Sequence, residues 1–154
     1  MAQLEYRLLD EENGFPALYG YEQIQKEEII ARCLCDYFIK EGIVYELTSS
    51  AKEESLQVIY VKKVEDKPHP QTPGQIKGMG FILLELREFQ EEADSYPIMK
   101  TLEFGNMQDL LLYAVSLYIN FQDSEWEKTS FEIDEDREIF CLYLKQSVKE
   151  EGVK

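Results

Sequence analysis

Apolar positions along the first part of the chain change from helical to strand-like spacing. Between Glu22 and Lys40 they recur three and four residues apart, which predicts an amphipathic helix that ends before Gly42. Ile43–Thr48 and Leu56–Lys63 are instead rich in β-branched and aromatic residues and are joined by a polar turn. This pattern predicts a β-hairpin directly after the helix.

The same order of patterns returns later in the chain. Asn106, with Asp109 three residues on, resembles a capping box and predicts the start of a helix over residues 107–121. That segment is apolar around most of its circumference, so the helix should be covered on more than one side. Trp126–Ile133 and Glu138–Lys145 then predict a second hairpin.

Further strands are expected ahead of each helix. Leu4–Leu9 reads as a short strand, and Pro16 argues against a central strand where it lies. Phe81–Phe89 is apolar on both faces at first, which favours a central strand, and Pro97–Phe104 can form one more. The segment Lys67–Gly80 is rich in Pro and Gly and is expected to be an exposed connection.

A short sequence repeat indicates two similar halves. Leu4–Glu12 reads LEYRLLDEE and Leu84–Glu92 reads LELREFQEE, and an aromatic-Pro step follows each copy. We therefore predict an α+β fold: an antiparallel sheet with two helices, in pseudo-duplicated β-α-β-β halves. Residues 1–154 would form one domain, with halves at about 1–66 and 81–148 joined by the loop 67–80. Chance similarity between two amphipathic hairpins is the alternative.

Charge narrows the class of partner. The net charge is −15, and the acid is spread over both halves, with 14 Asp and Glu against 7 Lys and Arg in residues 1–66. Such a field repels nucleic acids and anionic membranes, so no nucleic-acid or membrane partner is expected. A basic or amphipathic protein segment suits it better. Plain solubility is the simplest explanation of the charge, and an acidic DNA mimic or inhibitor of a basic protein is a further alternative.

The cysteines and apolar runs predict a cytoplasmic location. Cys33, Cys35 and Cys141 are odd in number and lie in apolar elements, which fits reduced thiols better than a disulfide framework. We see no signal peptide at the N-terminus, and the run Leu110–Ile119 is about half the length of a membrane span.

No catalytic or metal-binding constellation is visible. His69 is the only histidine and lies between two prolines. Cys33 and Cys35 would point away from each other on a helix, so neither a shared metal nor a pair is expected. Asp134 and Asp136 read as part of a hairpin turn. We therefore predict a protein that is not an enzyme, with no cofactor, no metal and no catalytic residue.

Asp109–Asn120, DLLLYAVSLYIN, and Ser130–Phe140, SFEIDEDREIF, resemble the second helix and following hairpin of the secretion-chaperone-like fold. That superfamily includes type III secretion chaperones and YbjN-type bacterial proteins. The resemblance extends over residues 22–148 by order of elements. It implies a small acidic homodimer that binds protein segments, with the second helix as the dimer contact.

The expected function is non-enzymatic protein binding, in the manner of a chaperone or adaptor, by a cytosolic homodimer. Its dimer or partner surface should consist of four apolar side chains: Leu111, Val115, Tyr118 and Phe121. The alternative is a duplicated strand-helix-strand-strand sensor that holds a small ligand between its halves. A pocket lined by Tyr6, Tyr37 and Tyr118 would favour that alternative.

Overall fold

The computed structural model describes residues 1–64, 81–93 and 95–147. Two α-helices and a mixed sheet of ten strands make up this part of the chain. The fold is therefore α+β, as the sequence predicts. The predicted connection 67–80, His69 and the end of the tail lie outside the described residues.

The first half contains five strands and one helix. In chain order they are β1 Ala2–Leu8, β2 Ala17–Ile24, α1 Lys26–Leu34, β3 Tyr37–Lys40, β4 Ile43–Lys52 and β5 Leu56–Lys63, with a 3₁₀ turn at Glu11–Asn13. The second half contains β6 Ile82–Glu88, β7 Ile98–Phe104, α2 Met107–Ala114, β8 Tyr118–Phe121, β9 Ser124–Asp134 and β10 Ile139–Gln146.

The sheet is mixed and not purely antiparallel, so that part of the prediction is wrong. Its strand order is β2-β1-β5-β4-β3-β9-β10-β6-β7, and β8 pairs with the first part of β9. Three neighbouring pairs run parallel: β1 with β5, β6 with β10, and β3 with β9. The β3–β9 pair joins the two halves.

Both helices are shorter than predicted. Helix α1 ends at Leu34, because Cys35 is extended and Asp36 N donates to Phe131 O at 2.7 Å. Tyr37–Lys40 then forms a strand between β4 and β9. Gly42, predicted to end the helix, instead takes its positive φ of 74° in the β3–β4 turn.

Helix α2 ends at Ala114, so the helix predicted over 107–121 is wrong in its second half. Asp109 N donates to Asn106 Oδ1 at 3.0 Å, which confirms the predicted cap. At the other end, the Ser116 hydroxyl donates to Leu112 O at 2.6 Å and satisfies a terminal carbonyl. Residues 118–121 form β8, so the chain there is not a helix that is apolar all round.

The predicted hairpins β4–β5 and β9–β10 are confirmed, with β4 extending to Lys52. Strand β2 was not predicted from the sequence. It lies at the edge of the sheet, which agrees with the argument that Pro16 disfavours a central strand there. The strand predicted at Pro97–Phe104 is β7, at the opposite edge of the sheet.

Several contacts recur at matching places in the two halves. The Thr48 and Thr129 hydroxyls each donate to the carbonyl of a tyrosine on the neighbouring strand, both at 3.0 Å, where β4 and β9 shift register. On β1 and β6, Arg7 Nε donates to Glu5 and Arg87 Nε donates to Glu85. The pseudo-duplication itself stays a prediction.

The core lies between the sheet and the two helices, which also contact each other. Its buried members come from both halves and from both helices, among them Tyr6, Phe38, Leu110, Phe131 and Leu142. A smaller cluster of Ile139, Cys141 and Tyr143 packs with Leu83, Phe89 and Tyr96. An open cleft lies where β2 and α1 meet the second half.

Candidate functional site

A cleft of about 620 Å³ lies between the two halves. The first half lines it with Met1, with the end of β2 and the next residue (21–25), and with two side chains of α1, Glu28 and Arg32. The second half lines it with the start of β6, with Met107 and with residues around the β9–β10 turn. Its volume is in the range of sites that bind small molecules.

Arg32 provides a buried positive charge in the wall of the cleft. Its side chain is 5% exposed, and its Nε donates to Glu28 Oε2 at 3.0 Å, one helical turn away. Its Nη1 donates to Glu135 Oε2 at 3.0 Å and to the Tyr6 hydroxyl at 3.2 Å. The guanidinium carbon also lies 4.8 Å from the centre of the Tyr21 ring.

Three donors from the first half converge on Glu135, in the β9–β10 turn of the second half. One oxygen accepts from the Tyr21 hydroxyl and from Arg32, and the other accepts from Lys40 Nζ. The backbone N–H of Glu135 also donates to Ile39 O at 2.8 Å. Glu135 therefore ties the halves together beside the cleft.

The titration of this cluster favours fixed charges. Burial alone would raise the pKa of Glu135, but hydrogen bonds from Lys40 and Tyr21 and the charge of Arg32 together lower it. Burial raises the pKa of Tyr6, and burial with the hydrogen bond to Glu135 raises that of Tyr21. At neutral pH the two tyrosines therefore keep their protons and Glu135 stays ionised.

A second buried ionic network lies around Arg137, in the same turn. Its two terminal nitrogens donate to both oxygens of Glu85, at 2.9 and 3.0 Å, and its Nε donates to Asp134 Oδ2 at 2.8 Å. Arg87 Nε donates to Glu85 Oε1 at 2.8 Å. Sequence reasoning missed this network, although the echoed Glu-x-Arg on β1 and β6 was a usable signal. The pairing of Asp134 with Ile139 closes the β9–β10 turn and confirms the turn predicted there.

The predicted apolar surface is only partly exposed. Val115 and Tyr118 are 61% and 53% exposed, whereas Leu111 and Phe121 are half-buried against the core. Two exposed neighbours were missed, Leu112 at 66% and Leu117 at 51%. They were missed because the sequence pattern placed all of these residues on one helix. We call the set Leu112, Val115, Leu117 and Tyr118 the α2–β8 surface.

The three cysteines do not form a site, and the three tyrosines suggested for a ligand pocket do not line the cleft. Cys35 and Cys141 are buried and Cys33 is half-buried, all as free thiols. The residues that line the cleft do not include Tyr6, Tyr37 or Tyr118. Among the described residues, no group of three His, Cys, Asp or Glu is placed to hold a metal ion. No helix in that part of the chain is long and apolar enough to cross a membrane.

The class defined by these observations is an α+β protein with a mixed sheet, two packed helices and a cleft between its halves. Comparison with protein-family models, with curated proteins and with solved structures gives no match.

Proposed function

We propose that this is a non-enzymatic protein-binding protein that acts as a homodimer through the α2–β8 surface. The proposal rests on one observation: four large apolar side chains, each more than half exposed, lie within residues 112–118. Leaving such a patch in water is unfavourable by about 25 cal/mol per Å² of apolar area, so a surface of this kind favours a partner.

Acidic groups next to this surface support the choice of partner. On β9, Glu127 lies opposite Tyr118 and Glu125 lies opposite Asn120. An apolar centre with a polar, charged rim is the usual composition of a protein interface. A basic or amphipathic segment of a protein partner would match the rim, and the second copy of the chain would match the apolar centre.

Sedimentation equilibrium between about 1 and 100 μM tests the dimer. We expect the wild-type protein to be dimeric at the upper concentration, and a Leu112→Glu/Val115→Glu variant to be monomeric with an unchanged circular dichroism spectrum. Tyr118→Asp should weaken the dimer as well. Leu9→Glu, at a site that is 48% exposed and outside the surface, is the matched control and should stay dimeric.

A wild-type protein that is monomeric at the upper concentration would refute the dimer. So would a Tyr118→Asp variant with the same association constant as the wild type. The resemblance to the secretion-chaperone-like fold and the cytoplasmic location belong to this proposal, and the acidity and the free cysteines support them.

A second function has its own observation in its favour. The cleft lies between two halves that have the same order of elements and the same pairing scheme, with one parallel pair inside each half. We propose that the halves are a duplicated unit and that the cleft binds a small ligand between them. A thermal-shift screen against a metabolite panel tests this. Stabilisation that is lost when Phe81, an exposed side chain of the cleft lining, is replaced by Ala would support it.

A further inference from the structure

Apolar side chains form much of the cleft wall. Six of them are Ile24, Ile82, Met107, Ile133, Ile139 and Phe140, contributed by both halves. Four of these six belong to the hydrophobic core, so the wall is held rigidly by packing behind it. A ligand that fills this cleft therefore needs an apolar body.

The buried charges in the wall are already balanced by protein groups. Arg32 pairs with Glu28 and with Glu135, and Lys40 pairs with Glu135. The formal charges of these two cations, Arg32 and Lys40, and of the two carboxylates, Glu28 and Glu135, sum to zero. The positive charge of Arg32 is therefore not left over for an anionic ligand, and the remaining groups of the lining decide the preferred charge.

The remaining charged groups of the described lining are the exposed carboxylates of Glu22 and Glu138 and the α-ammonium of Met1, which together leave one net negative charge. Among the described residues, neither carboxylate has a basic side chain as an ion-pair partner. Glu22 lies near the end of β2, and Glu138 lies in the β9–β10 turn, where its N–H donates to Glu135 O at 3.2 Å. The two halves thus each bring one uncommitted carboxylate to the same cleft.

We propose that the cleft binds an organic cation: an ammonium or guanidinium group attached to an apolar body. The apolar body lies against the wall, and the cation pairs with Glu22 and Glu138. This inference rests on the second function proposed above, since it names the chemical class of the ligand of that cleft. The cation can belong to a free amine or to a basic side chain of a peptide.

Three fluorescent probes with the same ring system test the class. Dansylcadaverine carries a terminal ammonium, N-hexyl dansylamide is neutral, and 6-(dansylamino)hexanoate carries a carboxylate. We expect dansylcadaverine to bind the full chain about fivefold more tightly than the neutral probe, and the anionic probe to bind most weakly, at about 0.15 M salt. The readout is the rise in dansyl emission at pH 7.

Two double variants separate the cleft from the overall charge. Glu22→Gln/Glu138→Gln should abolish the preference for dansylcadaverine and leave binding of the neutral probe unchanged. Glu11→Gln/Glu12→Gln removes the same two charges from the exposed 3₁₀ turn outside the cleft and should keep the preference. Equal loss in both double variants would overturn the proposal, because the acidity of the whole protein would then explain the binding.

Displacement of dansylcadaverine distinguishes the source of the cation. Stronger displacement by acetyl-Phe-Lys-Phe-amide than by phenethylamine supports the proposal with a peptide as ligand, and the reverse supports it with a free amine. Tighter binding of the neutral or anionic probe overturns the cation class but leaves the ligand-binding cleft standing. Failure of all three probes to bind overturns both.

Discussion

Replacing Glu135 by Gln tests the contact that ties the two halves together. Gln keeps the shape of the side chain but removes the negative charge that faces Arg32 and Lys40. Arg32 is 5% exposed and, among the described residues, would retain Glu28 as its carboxylate partner. A buried cation that loses one of two carboxylate partners destabilises the folded state, because water cannot reach it to replace the lost negative charge.

The magnitude follows from the exposure of the two partners. Removing one member of a fully buried ion pair costs about 3–5 kcal/mol. The Glu135 side chain is 18% exposed, and Glu28 still neutralises part of the charge of Arg32, so we expect a loss of about 2 kcal/mol. For a chain of this length that corresponds to a fall in melting temperature of about 6 °C.

The effect should depend on pH, with a sign set by the lowered pKa of Glu135. A carboxyl whose pKa is lower in the folded state than its ordinary value of 4.5 stabilises the fold above that value. The contribution is lost as the pH falls through the lower, folded-state pKa. The difference in unfolding free energy between wild type and Glu135→Gln should therefore be full at pH 7 and shrink below pH 4.5.

Urea unfolding followed by fluorescence of Trp126, the only tryptophan, measures this difference. Glu28→Gln is the matched control, because it also removes a partner of Arg32 but at a side chain that is 31% exposed, and it should cost about 0.5 kcal/mol. The reasoning is refuted if Glu135→Gln destabilises the protein no more than Glu28→Gln does, or if its effect is the same at pH 7 and at acidic pH.

Two further predictions concern the second helix and the thiols. Asn106→Ala should lower the unfolding free energy by about 1 kcal/mol, because Asp109 N–H loses its acceptor. Asn106→Ser should restore most of it, because serine keeps a capping oxygen and adds no charge beside the Asp109 carboxylate; urea unfolding measures both. Burial raises the pKa of all three thiols, but further for the fully buried Cys35 and Cys141 than for the half-buried Cys33, so iodoacetamide should modify Cys33 first. Mass spectrometry of the labelled peptides checks this order, and labelling of Cys141 as fast as Cys33 would contradict it.

Local patterns predicted the hairpins and the helix cap well. The β4–β5 and β9–β10 hairpins follow from β-branched and aromatic runs joined by polar turns, and their strands pair within a short stretch of chain. The cap at Asn106 needs only its own neighbours. The residues that pair in these hairpins are at most 20 positions apart, so the information lies within a short stretch of one sequence.

The helix lengths were mispredicted because the apolar residues of two short strands continue a helical spacing. Tyr37–Lys40 and Tyr118–Phe121 each follow a helix after a short break. Their state is decided by the edge of β9, which pairs with both. Helix propensity is a weak preference and gives way to such a contact. The apolar dimer surface predicted from helical spacing changed for the same reason.

The cleft could not be predicted from the sequence. Arg32 and Glu135 are 103 residues apart, and the strand order brings them together. In the sequence, nothing distinguishes Arg32 or Glu135 from the other charged residues of the chain. Likewise, the adjacent pair Glu27 and Glu28 gives no sign that Glu28 lines a cleft. The parallel pairs were missed for a related reason, since they need crossovers that the sequence pattern does not reveal.

The pairing of β3 with β9 also has a consequence for synthesis of the chain. Asp36, at the start of β3, donates to Phe131, 95 residues later. At about 5–20 residues per second, the ribosome needs on the order of ten seconds to supply that partner. During this time the first half can form β4 and β5 beside β3, but the other edge of β3 has no strand to pair with. An open edge of this kind can pair with another nascent chain, so the second half protects the first from aggregation as soon as β9 emerges.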